Sequence, residues 1–113
     1  VDYIAQISPA QRTPTQPYPG VVLKRGDNGE SVRVLREYLT FIADYFFDIP
    51  KTGVSSVFDV QTQNAVRAFQ RIFSLPVNGQ VNETTWQAIA DVYSTLSTGQ
   101  RRLEGQYPGY VVS

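Results

Sequence analysis

Residues 58–86 read FDVQTQNAVRAFQRIFSLPVNGQVNETTW, and this stretch decides the fold because it contains two helix starts and the break between them. Asp59 and Asn82 stand at the two starts, and their side-chain oxygens suit the unpaired N–H groups of a first helical turn. Residues 75–79, between the two helices, include a proline and a glycine, which interrupt helices. The stretch therefore predicts a helix, a tight loop and a second helix.

The apolar residues after each cap fall on one face of a helix with 3.6 residues per turn. After the first cap these are Ala65, Val66, Phe69 and Phe73, and after the second they are Trp86, Ile89, Ala90 and Tyr93. The second of these helices is expected to end at about Tyr93. An apolar residue, Phe58 or Val81, precedes each cap, as in a hydrophobic staple. Both helices are therefore predicted to pack into one core.

A further helix is predicted upstream, after a turn at residues 26–29 that offers cap residues. Pro50 bars its continuation, so it should end between Tyr45 and Asp48. Its core face comprises Val32, Leu35, Leu39 and Ile42, extended by Tyr38 and Phe46, whereas Arg33, Arg36 and Glu37 are expected to face water. We predict an all-α chain that forms a compact three-helix bundle with extended N- and C-terminal tails.

The sequence outside the helices predicts linkers at both ends. Residues 1–22, rich in Pro, Gln and Thr, indicate an extended linker; residues 23–95 form the predicted domain; residues 96–113 are interpreted as a linker to a further repeat. The triplet at residues 18–20, Tyr-Pro-Gly, recurs at residues 107–109, as expected in a tandem array, although this common turn sequence can also recur by chance. Because the chain begins with Val1, we expect a piece of a longer protein.

The composition argues against several classes of function. The 113 residues include 10 Lys and Arg and 10 Asp and Glu, so the net charge is zero, which disfavours nucleic-acid and anionic-membrane partners. No apolar run approaches the roughly 20 residues of a membrane span. The absence of Cys and His removes thiol chemistry, the commonest zinc ligands and the commonest general base. Neither a cofactor nor a metal site is expected.

Three motifs at matched distances resemble a known family. Residues 23–39 carry Leu, a Gly-containing turn and then Val, Leu and Leu at helical spacing, residues 65–70 read AVRAFQ, and residues 75–79 read LPVNG, followed by Thr85-Trp86. Together they resemble the three-helix peptidoglycan-binding domains of bacterial cell-wall hydrolases and spore proteins, over residues 23–95. The chain departs from the family at Ser55-Ser56, where Asp-Gly is usual, and at Asp59 and Asn82, where Gly is usual.

The resemblance implies a non-catalytic module that targets or anchors a larger protein to the cell wall or spore cortex of a Gram-positive bacterium. Residues 45–51 resemble the connection of clostridial and bacillar tandem proteins, which favours a spore-forming Firmicute source. The implied partners of this monomeric module are peptidoglycan, through its glycan strand or stem peptide, and adjacent domains of the same polypeptide. The alternative, favoured by the departures at Ser55-Ser56 and Asp59, is a structural or protein-interaction spacer that has lost glycan binding.

Candidate ligand contacts follow from the chemistry of peptidoglycan. Aromatic faces and planar amides hold sugars, whereas Arg side chains and helix N-termini hold the carboxylates of stem peptides. The predicted ligand-binding residues are Tyr45, Phe47, Gln61, Arg67, Asn78, Gln80 and Tyr93. Core packing is the alternative for each aromatic residue. Gln70 is expected to bond a nearby loop backbone, with a ligand contact as its alternative.

Two further functions compete with the binding module. A helical nucleic-acid binder would use Arg33, Arg36, Arg67 and Arg71, which the neutral net charge disfavours. An enzyme would need a carboxyl pair across a cleft or a nucleophile with a base, and Ser55-Ser56 has neither a His nor an obvious Lys base. Both are less well supported than a binding module.

Overall fold

The computed structural model describes the backbone of residues 15–106 and the side chains of residues 15–98. Within that part, the chain forms three helices, α1 (Glu30–Ala43), α2 (Val60–Ile72) and α3 (Glu83–Gln106). Two isolated antiparallel bridges, Leu23 with Val81 and Asn28 with Val57, tie the connecting segments together. The predicted all-α three-helix bundle is confirmed.

The core lies where the three apolar stripes meet. The four residues predicted for the core face of α1 are at most 1% exposed. They join the predicted stripes of α2 and α3 in a single cluster, which includes Phe58, Phe69, Trp86 and Ile89. Full burial of each such side chain stabilises the fold by roughly 1.5–3 kcal/mol. The periodicity of apolar residues therefore identified the core correctly.

Helix α1 begins and ends differently from the prediction. No side chain caps it: its N-cap is Gly29, with φ 129°, and the carboxylate of Asp27 instead accepts a hydrogen bond from the N–H of Lys24 at 2.9 Å. The helix ends at Ala43, before the predicted end, because the next two N–H groups bond three residues back: Asp44 to the carbonyl of Phe41, and Tyr45 to that of Ile42. These bonds tighten the last turn, and the α-helix ends there.

Helices α2 and α3 begin at the predicted caps. Asp59 Oδ1 accepts hydrogen bonds from the N–H of Thr62 at 2.9 Å and from its hydroxyl at 2.8 Å. Asn82 Oδ1 accepts from the N–H of Thr85 at 3.0 Å. The backbone hydrogen bond from Thr62 is the main reason why the pKa of the Asp59 carboxyl lies below its ordinary value.

The prediction that Arg36 faces water is wrong. Its side chain is buried, and its guanidinium donates hydrogen bonds to the carbonyls of Thr52 (2.7 Å), Gly53 (3.1 Å) and Val57 (2.5 Å). It also forms an ion pair with Asp59, at 3.4 Å. Arg36 lies on the flank of α1 that the connection at residues 44–59 covers, and helical spacing within α1 carries no information about where that connection folds. The buried guanidinium anchors this connection.

The predicted end of the third helix near Tyr93 is also wrong, because α3 continues to Gln106. The continuation includes Ser94, Thr95, Ser97 and Thr98, which are all buried. Short polar side chains favour caps and turns in sequence patterns, but they also fit in a closely packed helix face. The helix crosses the boundary predicted at residue 95, whereas a linker role for residues 96–113 stays a prediction. The second Tyr-Pro-Gly lies outside the described residues, as does most of the predicted N-terminal linker.

Candidate functional site

The loop at residues 76–80 is held by one buried side chain, Gln70, which is 1% exposed. Its carbonyl oxygen accepts hydrogen bonds from the N–H groups of Asn78 and Gly79, both at 3.0 Å. Its amide nitrogen donates to the carbonyl of Gln80 at 2.9 Å and to Asn78 Oδ1 at 3.0 Å. The expected bond from Gln70 to a loop backbone is confirmed. Because the amide pairs with both donors and acceptors of the loop, it fixes the loop in one conformation.

The loop lies directly on α2 at Gly79. This glycine has a φ of 75°, and a Cβ added there would lie 2.9 Å from Gln63 Cγ and 3.0 Å from Arg67 Nε. Only glycine combines this backbone conformation with so close an approach. The contact places the side chain of Arg67 across the loop.

The three polar candidates on this side of the molecule differ in what they can offer to a ligand. The Oδ1 atom of Asn78 already accepts hydrogen bonds from Gln70 and from the N–H of Gln80, at 2.9 Å. The exposed side chains of Arg67 and Gln80 have no hydrogen-bond or salt-bridge partner among the described residues. Arg67 and Gln80 are therefore available to bind a ligand, whereas the side-chain oxygen of Asn78 already accepts hydrogen bonds within the domain.

The two exposed aromatic candidates lie in a different place, after the end of α1. Phe47 is 97% exposed and Tyr45 is 42% exposed. With Phe46, Asp48 and Ile72 they line an open groove of about 300 Å³, which we call the aromatic corner. Phe46 packs edge to face on Phe73, with the ring centroids 5.5 Å apart. The ring of Phe46 thus holds this turn against α2, while the neighbouring ring of Phe47 projects into solvent.

Tyr93 is half-buried among other aromatic rings. Its ring stacks on Tyr38, at a centroid distance of 4.4 Å, and lies edge to face with Phe41, at 5.2 Å. Phe41 in turn contacts Tyr45 at 5.5 Å. This packing corresponds to the alternative that the sequence left open for aromatic residues, while a ligand contact by Tyr93 stays a prediction.

The seven predicted ligand residues therefore do not form one site. Arg67, Asn78 and Gln80 lie where the loop at residues 76–80 covers α2, and we call this surface the loop face. Tyr45 and Phe47 lie at the aromatic corner. Gln61 is exposed on α2, six residues before Arg67 and hence about 120° from it around the helix. Sequence reasoning gave Gln63 no role and gave Arg71 only one in nucleic-acid binding, although the spacing of Gln63, Arg67 and Arg71 by four residues was a visible signal.

Two kinds of site are not found in the described part of the chain. Among residues with described side chains, Asp and Glu do not gather in threes as metal ligands would. The helices of that part also lack a stretch that is both long and apolar enough to span a bilayer. The surface of the described residues instead offers the polar loop face, the aromatic corner and an open hollow lined by residues 21–24 and 26–31.

Residues 28–89 match the family described as "Putative peptidoglycan binding domain". The match includes α1, α2, the loop at residues 76–80 that Gln70 holds, and the start of α3. This chain belongs to that family. The peptidoglycan-binding domain is a binding module and not a catalytic unit.

Relatives and solved structures agree with this membership. The domain is 30% identical over 73 residues to the N-acetylmuramoyl-L-alanine amidase CwlL of Bacillus licheniformis, which is 65% of this chain but 19% of the amidase. The SleB N-terminal domain is 32% identical, with a TM-score of 0.57 over 67% of this chain and 97% of that one. A peptidoglycan-binding protein from Clostridioides difficile is 23% identical and shares the fold, with a TM-score of 0.57 over 68% of this chain and 45% of that one.

Proposed function

We propose that this peptidoglycan-binding domain attaches a larger protein non-covalently to the bacterial cell wall or spore cortex, outside the cell membrane of a Gram-positive bacterium. The similarity to CwlL supports this proposal, because the shared segment is a small part of that amidase. The SleB N-terminal domain, nearly all of which matches this chain, is also a part of a larger protein by its name. Attachment raises the local concentration of the partner domain at its substrate.

The observation that carries the proposal is the Gln70-braced loop, which presents exposed polar side chains on a fixed backbone. A loop that is already ordered loses little conformational entropy when it binds, so weak polar contacts are not cancelled by that cost. Arg67 and Gln80 offer hydrogen-bond donors to sugar hydroxyls, acetamido groups or carboxylates. Tyr45 and Phe47 offer ring faces to sugars at the aromatic corner. Each contact is weak, and tandem copies would supply avidity.

Co-sedimentation with purified peptidoglycan sacculi tests the proposal. We expect the wild-type domain to move into the pellet, and a variant with Arg67→Ala and Gln80→Ala to remain largely in solution. Arg25→Ala serves as the matched control, because Arg25 is also an exposed cation without a described ion-pair partner but belongs neither to α2 nor to the loop at residues 76–80. A wild-type domain that stays in solution at all sacculus concentrations would refute wall binding.

The aromatic corner supports a second candidate function, that of a spacer which docks on a neighbouring domain. A Phe that is 97% exposed beside an exposed Tyr offers apolar surface that a protein contact would cover. This function predicts that Phe47→Ser disrupts a contact with an adjacent domain of the full-length polypeptide and leaves sacculus binding unchanged. Amide chemical shifts of residues 45–48, compared between the isolated domain and the full-length polypeptide, measure the contact.

A further inference from the structure

The distribution of ion pairs singles out one face of α2. Among residues 15–98, the cations Lys24, Arg33, Arg36 and Lys51 each have a carboxylate partner. Arg25, Arg67 and Arg71 have none. Two of these three unpaired cations therefore lie on the same helix.

Arg67 and Arg71 are four residues apart, which places them about 40° from each other on the exposed face of α2. Like charges at this spacing destabilise a helix. The sequence of α2 contains no acidic residue that would offset the repulsion. Arg71 lies in the last turn, where the helix dipole favours a cation, but Arg67 lies one turn earlier and gains less from it. Among the residues with described side chains, this pair of positive charges therefore has no compensating negative charge.

The geometry of the loop restricts where the Arg67 guanidinium lies. Its Nε and Cγ atoms are 3.0 Å and 3.4 Å from the position of a Cβ on Gly79, so the side chain lies across a backbone that Gln70 holds in place. Gln80, with an exposed and unbonded carboxamide, belongs to the same loop. The exposed residues on the outer face of α2, which are Val60, Asn64, Arg67 and Arg71, include no aromatic ring. This face has fixed donors and positive charge, and it lacks the ring faces that hold a neutral sugar.

We propose that Arg67 and Arg71, together with the loop at residues 76–80, form a subsite for a carboxylate of the peptidoglycan stem peptide. A guanidinium presents parallel N–H donors that match the two oxygens of a carboxylate, and the second cation adds attraction at short range. The subsite would therefore distinguish the peptide of peptidoglycan from its glycan. This assignment rests on the proposed function and adds the part of the polymer that this face recognises.

Titration with two soluble probes, followed by amide chemical shifts, tests the assignment. The first probe is the tripeptide L-alanyl-γ-D-glutamyl-meso-diaminopimelate with free carboxylates, and the second is the same peptide with its carboxyls converted to carboxamides. We expect the free acid to shift the amides of residues 67–71 and 77–80, and to bind at least about tenfold more tightly than the carboxamide, because hydrogen bonds between charged groups are the stronger ones. Equal binding of the two probes would overturn the assignment.

Substitution separates this subsite from a general effect of charge. The variant with Arg67→Gln and Arg71→Gln should bind the free acid at least about tenfold more weakly, whereas the matched variant with Arg25→Gln and Arg33→Gln, which has the same net charge, should bind it like the wild type. Both Arg67 and Arg71 are exposed, and far-UV circular dichroism checks that the helices persist. Similar losses in the two variants would show non-specific attraction and overturn the subsite.

The sacculus experiment distinguishes failure of the subsite from failure of the proposed function. If the wild-type domain binds sacculi and also binds a tetramer of N-acetylglucosamine, but discriminates neither the two peptides nor the two variants, the domain is a wall-binding module that recognises glycan, and the subsite is wrong. If it binds no sacculi at all, the proposed function fails as well. Tighter binding of the free acid, lost only in the variant of Arg67 and Arg71, supports both.

Discussion

Two loops of this domain are each held by one buried side chain from a helix, and the two side chains differ in charge. Gln70 on α2 holds residues 76–80 through a neutral amide that both accepts and donates. Arg36 on α1 holds residues 52–57 through a guanidinium that only donates, to three carbonyls and to the carboxylate of Asp59. The neutral amide can satisfy its loop without a counter-ion, whereas the guanidinium requires one, so only the second loop is linked to a titrating group.

The largest effect is expected for Arg36→Leu. This change removes four contacts at once and leaves three carbonyls and one carboxylate without their partner, so the free energy of unfolding should fall by about 3–5 kcal/mol. Urea unfolding followed by circular dichroism measures the change. Arg33→Leu, on the exposed side of the same helix, is the control and should leave the urea unfolding midpoint nearly unchanged, because exposed ion pairs contribute little to stability. A loss below about 1 kcal/mol for Arg36→Leu would contradict the role of the guanidinium as an anchor.

The next effect is expected for Gln70→Leu. Leucine has a similar size but leaves two loop N–H groups and one carbonyl unpaired, so the free energy of unfolding should fall by about 2–3 kcal/mol. The same urea titration measures it. Gln61→Leu, at an exposed position of the same helix and without a described side-chain hydrogen bond, is the matched control and should change stability by less than about 0.5 kcal/mol. Hydrogen exchange at Asn78 and Gly79 should accelerate in the Gln70 variant alone; unchanged exchange would mean that the loop does not need the amide.

A smaller effect is expected for Gly79→Ala. Its φ of 75° is unfavourable for alanine, and the new Cβ would press on Gln63 and Arg67, so stability should fall by about 1–3 kcal/mol. Gly26→Ala is the control, because Gly26 also has a positive φ, 99°, but its Cβ would meet nothing within 4 Å. The difference between the two unfolding midpoints isolates the contact with α2. Equal losses would show that backbone strain accounts for the whole effect.

The smallest effect concerns pH and the loop held by Arg36. The pKa of Asp59 is lowered in the folded domain, chiefly by the N–H of Thr62, from an ordinary value of 3.8. A lowered pKa in the folded state gives a stabilisation that is complete above the unfolded pKa and disappears as the pH falls through the folded pKa. Thermal unfolding between pH 6 and pH 2.5 should therefore show a shallower loss of stability for Asp59→Asn, which keeps a capping oxygen, than for the wild type. Parallel profiles would exclude Asp59 as a contributor to the acid sensitivity.

The starts of α2 and α3 could be predicted because the forces that set them are local. Asp59 caps through an N–H three residues away, and Asn82 does the same. The end of α3 could not be predicted in this way. Ser94, Thr95, Ser97 and Thr98 have the composition of a linker, and only their burial in the folded domain identifies them as part of a helix.

The candidate site was predicted in its residue types but not in its arrangement. Gln70 was correctly expected to bond a loop, since the loop follows it closely in sequence. The separation of the loop face from the aromatic corner depends on how α1 packs beside α2. The spacing of residues within each helix does not predict that packing. The availability of Arg67 and Arg71 depends in the same way on the absence of acidic partners in the described surroundings, and that is a property of the packed surface.

The order of apolar and capping residues by itself determined that this chain forms three helices around Leu35, Phe69 and Trp86, because burial of periodic apolar faces outweighs other local preferences. The same residues also predicted membership of the peptidoglycan-binding family. Only the tertiary structure decided that Arg36 is bound within the domain and that Arg67 and Gln80 remain available to a ligand. The reason is that a hydrogen bond between distant segments depends on three-dimensional proximity, which no single stretch of sequence encodes.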